Sequence, residues 1–130
     1  MIADTSAIVA ILTDEPEREQ FLHLIKQAPQ VRMSAGNWIE LSAVITRSMR
    51  KDHVLKLDDL MSELAIMIMP VTVEQAIIGH ETYRKYGRGT DHPAYLNFGD
   101  CFAYALAKET GEPLLFKGDD FVHTDVIPAR

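Results

Sequence analysis

The chain has 130 residues, 47% of them hydrophobic and 25% charged, with a formal charge of −6 and one cysteine. That profile predicts one globular domain, residues 1–130, around a single core, and one cysteine excludes both a disulfide framework and a four-cysteine zinc site. No apolar run approaches the roughly 18 residues of a membrane span, and the acidic balance argues against holding nucleic acid by Lys and Arg alone.

In chain order, Met1–Ala3 reads as a very short strand. Thr5–Leu12 follows as a helix that Asp4, Thr5 or Ser6 can cap. The opening "MIADTSAIVAIL" lacks the basic start of a signal peptide, so the expected location is the cytoplasm. "DEPERE" begins a second helix with Pro16 in its first turn and Phe21, Leu24 and Ile25 on its apolar face. Val31–Met33 is a second strand. A long helix is predicted from about Gly36 to Arg50, with Trp38, Leu41, Ile45 and Met49 at helical spacing. Leu57–Leu64 is helical, "IMIMPV" (66–71) is a buried strand, and Val73–Tyr86 is a further helix. "GRGTDHPAYLN" (87–97) is a loop. Gly99–Glu109 is a helix ended by Gly111, Pro113–Phe116 is a strand, and Val126–Ile127 a last short one. Strands alternating with helices imply an α/β/α sandwich around a mainly parallel sheet.

In such a sheet, strand C-termini and helix N-termini share one edge, where ligands bind. Asp4 follows the first strand. Glu40 lies in the early turns of the helix after the second. Asp100 lies in the first turn of its helix, and Asp119 and Asp120 follow Leu114–Phe116. The topology therefore gathers carboxylates that are tens of residues apart. Each has a plainer reading: Asp4 as a cap, Asn97 and Asp100 as a variant capping box, Glu40 as one polar position on a helix, Asp119 and Asp120 as turn formers. Together they repel one another unless protonated or bound to cations, and hard oxygen donors favour Mg²⁺ or Mn²⁺.

"IADTSAIVAIL", "NWIELSAV", "LNFGDCFAYALA" and "PLLFKGDDF", in that order, resemble the motifs of PIN-domain ribonucleases, specifically VapC-type toxins of toxin–antitoxin pairs. The resemblance implies a three-layer fold with a five-stranded parallel sheet, and Mg²⁺-dependent endonucleolytic cleavage of RNA. It also implies a homodimer, and a cognate VapB-like antitoxin whose tail blocks the acidic site. Asp4, Glu40 and Asp100 match the acidic positions of the family. The family often shows Thr-x-Asp-x-Asp-Phe after the last core strand. Without gaps, "FKGDDF" sets Phe116 at the Thr and Gly118 at the first Asp, and Asp120 at the second. Asp119, by a one-residue shift, is taken as the fourth catalytic acid. Asp4 and Asp100 are expected to ligate the metal, with Glu40 and Asp119 holding waters or a second ion.

Cys101 has no adjacent histidine and reads as a small buried residue, and the methionines at 61, 67 and 69 read as core. Arg84, Lys85 and Arg88 beside the 87–97 loop either guide RNA phosphates or form a solvated helix end. Lys117 either contacts RNA or balances charge. Two rival functions remain. A phosphoacceptor receiver domain needs an aspartate at the end of a central strand, which "IMIMPVT" does not supply. A non-catalytic partner-binding domain would present the same acids to a basic peptide.

Overall fold

The computed structural model describes residues 1–48 and 51–130. Four strands, β1 (Ile2–Ala3), β2 (Arg32–Ser34), β3 (Met67–Met69) and β4 (Leu114–Leu115), form a parallel sheet in the order β3-β2-β1-β4. Helices α1 (Thr5–Leu12), α2 (Arg18–Gln27), α3 (Ala35–Ser48) and α4 (Lys51–Glu63) join the first three strands. α5 (Val73–Tyr86) and α6 (Phe98–Thr110) lead back to β4.

Side-chain alternation along the strands builds the three layers. Ala3, Met33 and Leu115 point into a core with Ile8, Ile11, Phe21, Ile25, Leu41, Ile45, Leu57 and Met61, from α1 to α4. Ile2 and Leu114 point to the other face, where Tyr104 and Leu106 of α6 close a second core with Tyr86, Leu96 and Phe121. The central strands are buried on both faces, as full burial of a parallel strand requires.

The sequence expectations hold with four corrections, the first being that α2 starts at Arg18 with Glu17 as its N-cap, so Pro16 precedes the helix and is not in its first turn. Among the described residues the sheet has four strands and not five. The segment expected as the fifth contributes an isolated parallel bridge, Leu114 to Pro128, whose two bonds run from the Leu114 N–H to the Ile127 carbonyl and from the Ala129 N–H to the Leu114 carbonyl, both at 2.8 Å. β3 is a strand but not a buried one. It is the sheet edge, with Met67 46% and Ile68 37% exposed, so Met67 is not core, although Met61 is. α4 starts at Lys51, a turn and a half before the expected Leu57. The predicted continuation of α3 through Met49 and Arg50 lies outside the described residues.

The strand order creates the site. The connections from β1 to β2 and β3 run one way across the sheet, and the return to β4 runs the other way. A crevice therefore opens beyond the C-terminal ends of β1 and β4. The two strands meet there directly, with the Asp4 N–H donating to the Leu115 carbonyl at 2.9 Å.

Candidate metal and catalytic site

Asp4, the first residue after β1, is the N-cap of α1. Its Oδ2 accepts from the Ser6 N–H at 2.9 Å and from the Ser6 hydroxyl at 2.6 Å. Ser6 Oγ in turn accepts from the Lys117 N–H at 3.0 Å, which ties the segment after β4 to the same carboxylate. Asp100 and Asn97 form the capping box of α6. Asp100 Oδ2 accepts from the Asn97 N–H at 2.8 Å, and Asn97 Oδ1 accepts from the Asp100 N–H at 2.9 Å. The plain reading of both aspartates is therefore correct. In each, the cap occupies one carboxylate oxygen and fixes where the carboxyl group stands.

Glu40 is held by three contacts. Its Oε1 accepts from the Thr5 hydroxyl at 2.5 Å and from Asn37 Nδ2 at 3.2 Å, and the same Asn37 amide reaches the Gly99 carbonyl at 3.0 Å. The carboxylate lies against Gly99, in the space a Cβ there would fill. One cleft of about 260 Å³ is lined by Asp4, Glu40, Asp100 and Asp120, with Thr5, Ser6 and Asn97 among its polar groups and Val9, Val44 and Phe121 among its apolar ones.

The structure thus brings together three of the four predicted acids and exchanges the fourth. Asp120 lines the cleft and Asp119 does not. Gly118, at φ +95°, turns the chain after β4 in a way that favours glycine. Asp119 then precedes the short 3-10 helix Asp120–His123 without making a side-chain cap. Lys117 also lines the cleft, but its ammonium group pairs with Glu15 and, at 3.1 Å, with Glu17. Of the two readings of Lys117, charge balance is the one this geometry carries.

Burial raises Asp4 to about 6 and Asp100 to about 7, with the neighbouring carboxylates adding to the effect. Among the described residues, no three His, Cys, Asp or Glu side chains converge into a ready cation cage. The donors fit a cation on other grounds. Asp4 Oδ1 is buried with no hydrogen-bond partner. A wholly buried acceptor without a donor requires a proton or a cation, and Asp4 and Asp100 bring only hard carboxylate oxygens to it. Burial also pushes the Cys101 thiol up to about 11, which makes it inert, as its sequence context predicts.

A PIN-domain family profile matches residues 1–127. The chain belongs to the PIN-domain family, and within it to the VapC ribonucleases. Ribonuclease VapC42 of Mycobacterium tuberculosis is 47% identical over 129 residues, covering 99% of this chain and 98% of the relative. Ribonuclease VapC28 of the same organism is 44% identical over 128 residues, covering 97% and 95%. The solved structure of M. tuberculosis VapC20, described as a Sarcin-Ricin loop cleaving toxin, superposes with a TM-score of 0.78 at 15% identity. It covers 99% of this chain and 98% of its own. VapBC2 from Rickettsia felis, bound to a DNA fragment from its promoter, gives 0.74 at 16% identity, covering 98% and 94%. At those identities the structural likeness concerns the fold, and it agrees with the three-layer architecture above.

Sequence reasoning did not assign Thr5, Ser6 and Asn37 as holders of the carboxylates. The signal was present: hydroxyls one and two residues after Asp4, and an amide one helical turn before Glu40.

Proposed function

We propose that this PIN-domain chain is a divalent-metal-dependent endoribonuclease and the toxin of a toxin–antitoxin pair. The observation that carries the reading is the cleft at the β1/β4 switch point. Four carboxylates from four chain segments line it, one of them with a buried oxygen that lacks any donor. Asp4 and Asp100 would hold the ion, Mg²⁺ or Mn²⁺ by the hardness of their oxygens. When bound, the cation supplies positive charge at the scissile phosphate and makes a water acidic enough to attack phosphorus.

The chain's own residues do the rest. Ser6 and Asn97 fix Asp4 and Asp100 through one carboxylate oxygen each, leaving the other oxygen of each free of the cap. Thr5 and Asn37 hold Glu40 at the Gly99 backbone, where its carboxylate accepts a proton from an attacking water or orients a water around the ion. Asp120, in the place first given to Asp119, completes the acidic rim. Val9, Val44 and Phe121 limit access of bulk water and strengthen the local electrostatics.

The receiver alternative is set aside by the PIN-domain match over residues 1–127. The partner-binding alternative does not account for the orphaned Asp4 oxygen as simply as a cation does. The test is cleavage of a labelled single-stranded RNA by the purified protein with Mg²⁺, with Mn²⁺ and with chelator. Asp100→Asn should lose at least about a hundredfold in rate, since even residues outside the ligand shell cost 10- to 100-fold. Undiminished cleavage in chelator, or by folded Asp100→Asn, would sink the assignment.

Three further features belong to this reading. Residues 1–130 act as one unit. The chain works in the cytoplasm; separately, among the described residues no helix is long and apolar enough to cross a membrane. It is a homodimer through the face of α3, α5 and α6. Ile39, Val73, Ile77 and Phe98 on these helices are 71%, 72%, 61% and 74% exposed, and Phe98 lines an apolar groove of about 500 Å³. Trp38 and Met61 do not belong to that face: Met61 is in the core and Trp38 packs against it. The antitoxin tail inhibits by placing an arginine against Asp4, Glu40 or Asp100, since a guanidinium pairs bidentately with carboxylate and excludes the cation. An Arg→Ala antitoxin that still inhibits as strongly would remove that mode of control.

A further inference from the structure

The turn between α5 and α6 carries an aromatic residue and a cation that neither the fold nor the carboxylate chemistry uses. α5 and α6 run antiparallel. Gln75 at the start of α5 donates to Glu109 near the end of α6 at 2.6 Å, while Tyr83 and Arg84 near the end of α5 share a groove with Phe98. Residues 87–97 therefore sit at the end of α6 that bears Asp100, and they lead straight into Asn97 of the cleft.

This loop is braced. The Arg88 N–H donates to the Leu96 carbonyl at 2.9 Å and the Leu96 N–H to the Tyr86 carbonyl at 3.0 Å. The Thr90 hydroxyl donates to the Gly87 carbonyl at 2.7 Å. The Ala94 N–H donates to His92 Nδ1, whose ring stands edge-on to Tyr86 at 4.7 Å. Ala94 and Leu96 are buried. Tyr95 between them is 56% exposed and has φ +49°, a left-handed conformation that a bulky residue rarely adopts. The Arg88 guanidinium lies 5.0 Å from its ring centroid and, among the described residues, forms no ion pair. The loop thus holds a tyrosine outward, against its backbone preference, with an unpaired cation across its ring. Such strain persists only where the surroundings impose it, and it gathers at functional positions.

We propose that Tyr95 and Arg88 form a stacking platform for an unpaired base of the RNA, flanking the scissile phosphate, and so contribute to which sites are cut. Aromatic faces and arginine planes are the surfaces on which unpaired bases stack. Arg84, 3.9 Å from Glu81, and Lys85 end α5 just before this loop on a chain that is otherwise acidic, and such cations favour a phosphate backbone over a basic peptide at this rim. The proposal rests on the ribonuclease reading above.

The test is steady-state cleavage of a single-stranded oligoribonucleotide by the metal-loaded protein, paired with a titration of the same RNA carrying 2-aminopurine beside the cleavage site. Tyr95→Asn removes the ring with a residue that tolerates the left-handed conformation, and Tyr95→Phe keeps the ring. Stacking predicts a KM raised roughly 5- to 150-fold by Tyr95→Asn, kcat within about twofold, and loss of the 2-aminopurine quench. Tyr95→Phe should match the wild type, and Arg88→Gln should fall between. An unchanged KM for Tyr95→Asn overturns the platform, as does a fall in kcat alone. Weakened antitoxin binding at unchanged KM overturns it too, and assigns the pair to the protein partner. Absence of any cleavage by the wild type would sink the ribonuclease reading. The fluorescence titration then decides the platform separately, and binding without quench overturns it.

Discussion

The Glu40 carboxylate lies against Gly99, so that a Cβ at position 99 would overlap it. These residues are 59 positions apart, yet Asn37 ties them together by donating both to Glu40 and to the Gly99 carbonyl. The glycine of "NFGD" is thus required by a close approach of side chain to backbone, at a helix position whose φ is ordinary.

Gly99→Ala should consequently separate stability from activity. The group it meets is the far end of a flexible side chain, which can swing away at little cost to the core. Moving Glu40 off Thr5 and Asn37, however, undoes its placement at the cleft. The expected result is a folded protein, with a melting temperature within a few degrees of wild type, that cleaves RNA about 10- to 100-fold more slowly. Wild-type rates in Gly99→Ala would show that Glu40 need not stand where the structure has it.

A second prediction concerns pH in the absence of metal. Asp4 is raised to about 6 and Asp100 to about 7, chiefly by burial, whereas both titrate near 4 in the unfolded chain. Between pH 4 and 7 the folded state therefore holds protons that the unfolded state has released. Its stability falls as pH rises through that window. The two groups together are worth on the order of several kcal/mol. Asp100→Asn removes one of them, so in chelator the variant and wild type should melt alike near pH 4, and the variant should melt higher at pH 8. Parallel melting curves across the range would contradict the buried, mutually repelling pair.

Much of this was legible before the fold was known, and the reasons are local. "NFGD" announces a capping box because an amide and a carboxylate three residues apart satisfy each other's backbone N–H groups, and they do. "GEP" marks the end of α6 and the start of β4. The strands were harder. At two or three residues each they are too short for a period of two to declare itself, so the exposure of β3 and the reduction of Val126–Ile127 to a bridge at Pro128 depend on sheet order alone. Which of the two adjacent aspartates lines the cleft was illegible for a different reason. Adjacent aspartates after a glycine differ only in which way the turn throws them, and the positive φ of Gly118 sets that direction.

The third prediction follows from that turn. Asp120 lines the cleft and adds to the charge that raises Asp100, while Asp119 is exposed outside it. Asp120→Asn should weaken metal affinity in calorimetry and slow cleavage about tenfold or more. Asp119→Asn should change either by less than about twofold. The reverse ranking would restore the one-residue shift that places Asp119 at the site.

Asp100 has two tasks, and two substitutions distinguish them. One carboxylate oxygen accepts from the Asn97 N–H in the capping box, and the other is left for the cleft. Asparagine retains an acceptor oxygen for the Asn97 N–H but loses the negative charge. Alanine loses both. Neither variant should cleave RNA at a measurable rate, because both lack the anionic oxygen that Asp4 alone cannot replace. Their stabilities should differ. Loss of the reciprocal hydrogen bond costs about 1 kcal/mol, and it falls on Asp100→Ala, which should unfold at lower denaturant concentration than Asp100→Asn with an unchanged slope. Removing the buried charge favours both variants over the metal-free wild type at neutral pH, so the comparison that isolates the cap is between the two variants. If they unfold together, the hydrogen bond at the start of α6 contributes nothing to the fold, and Asp100 is held in place by its surroundings alone.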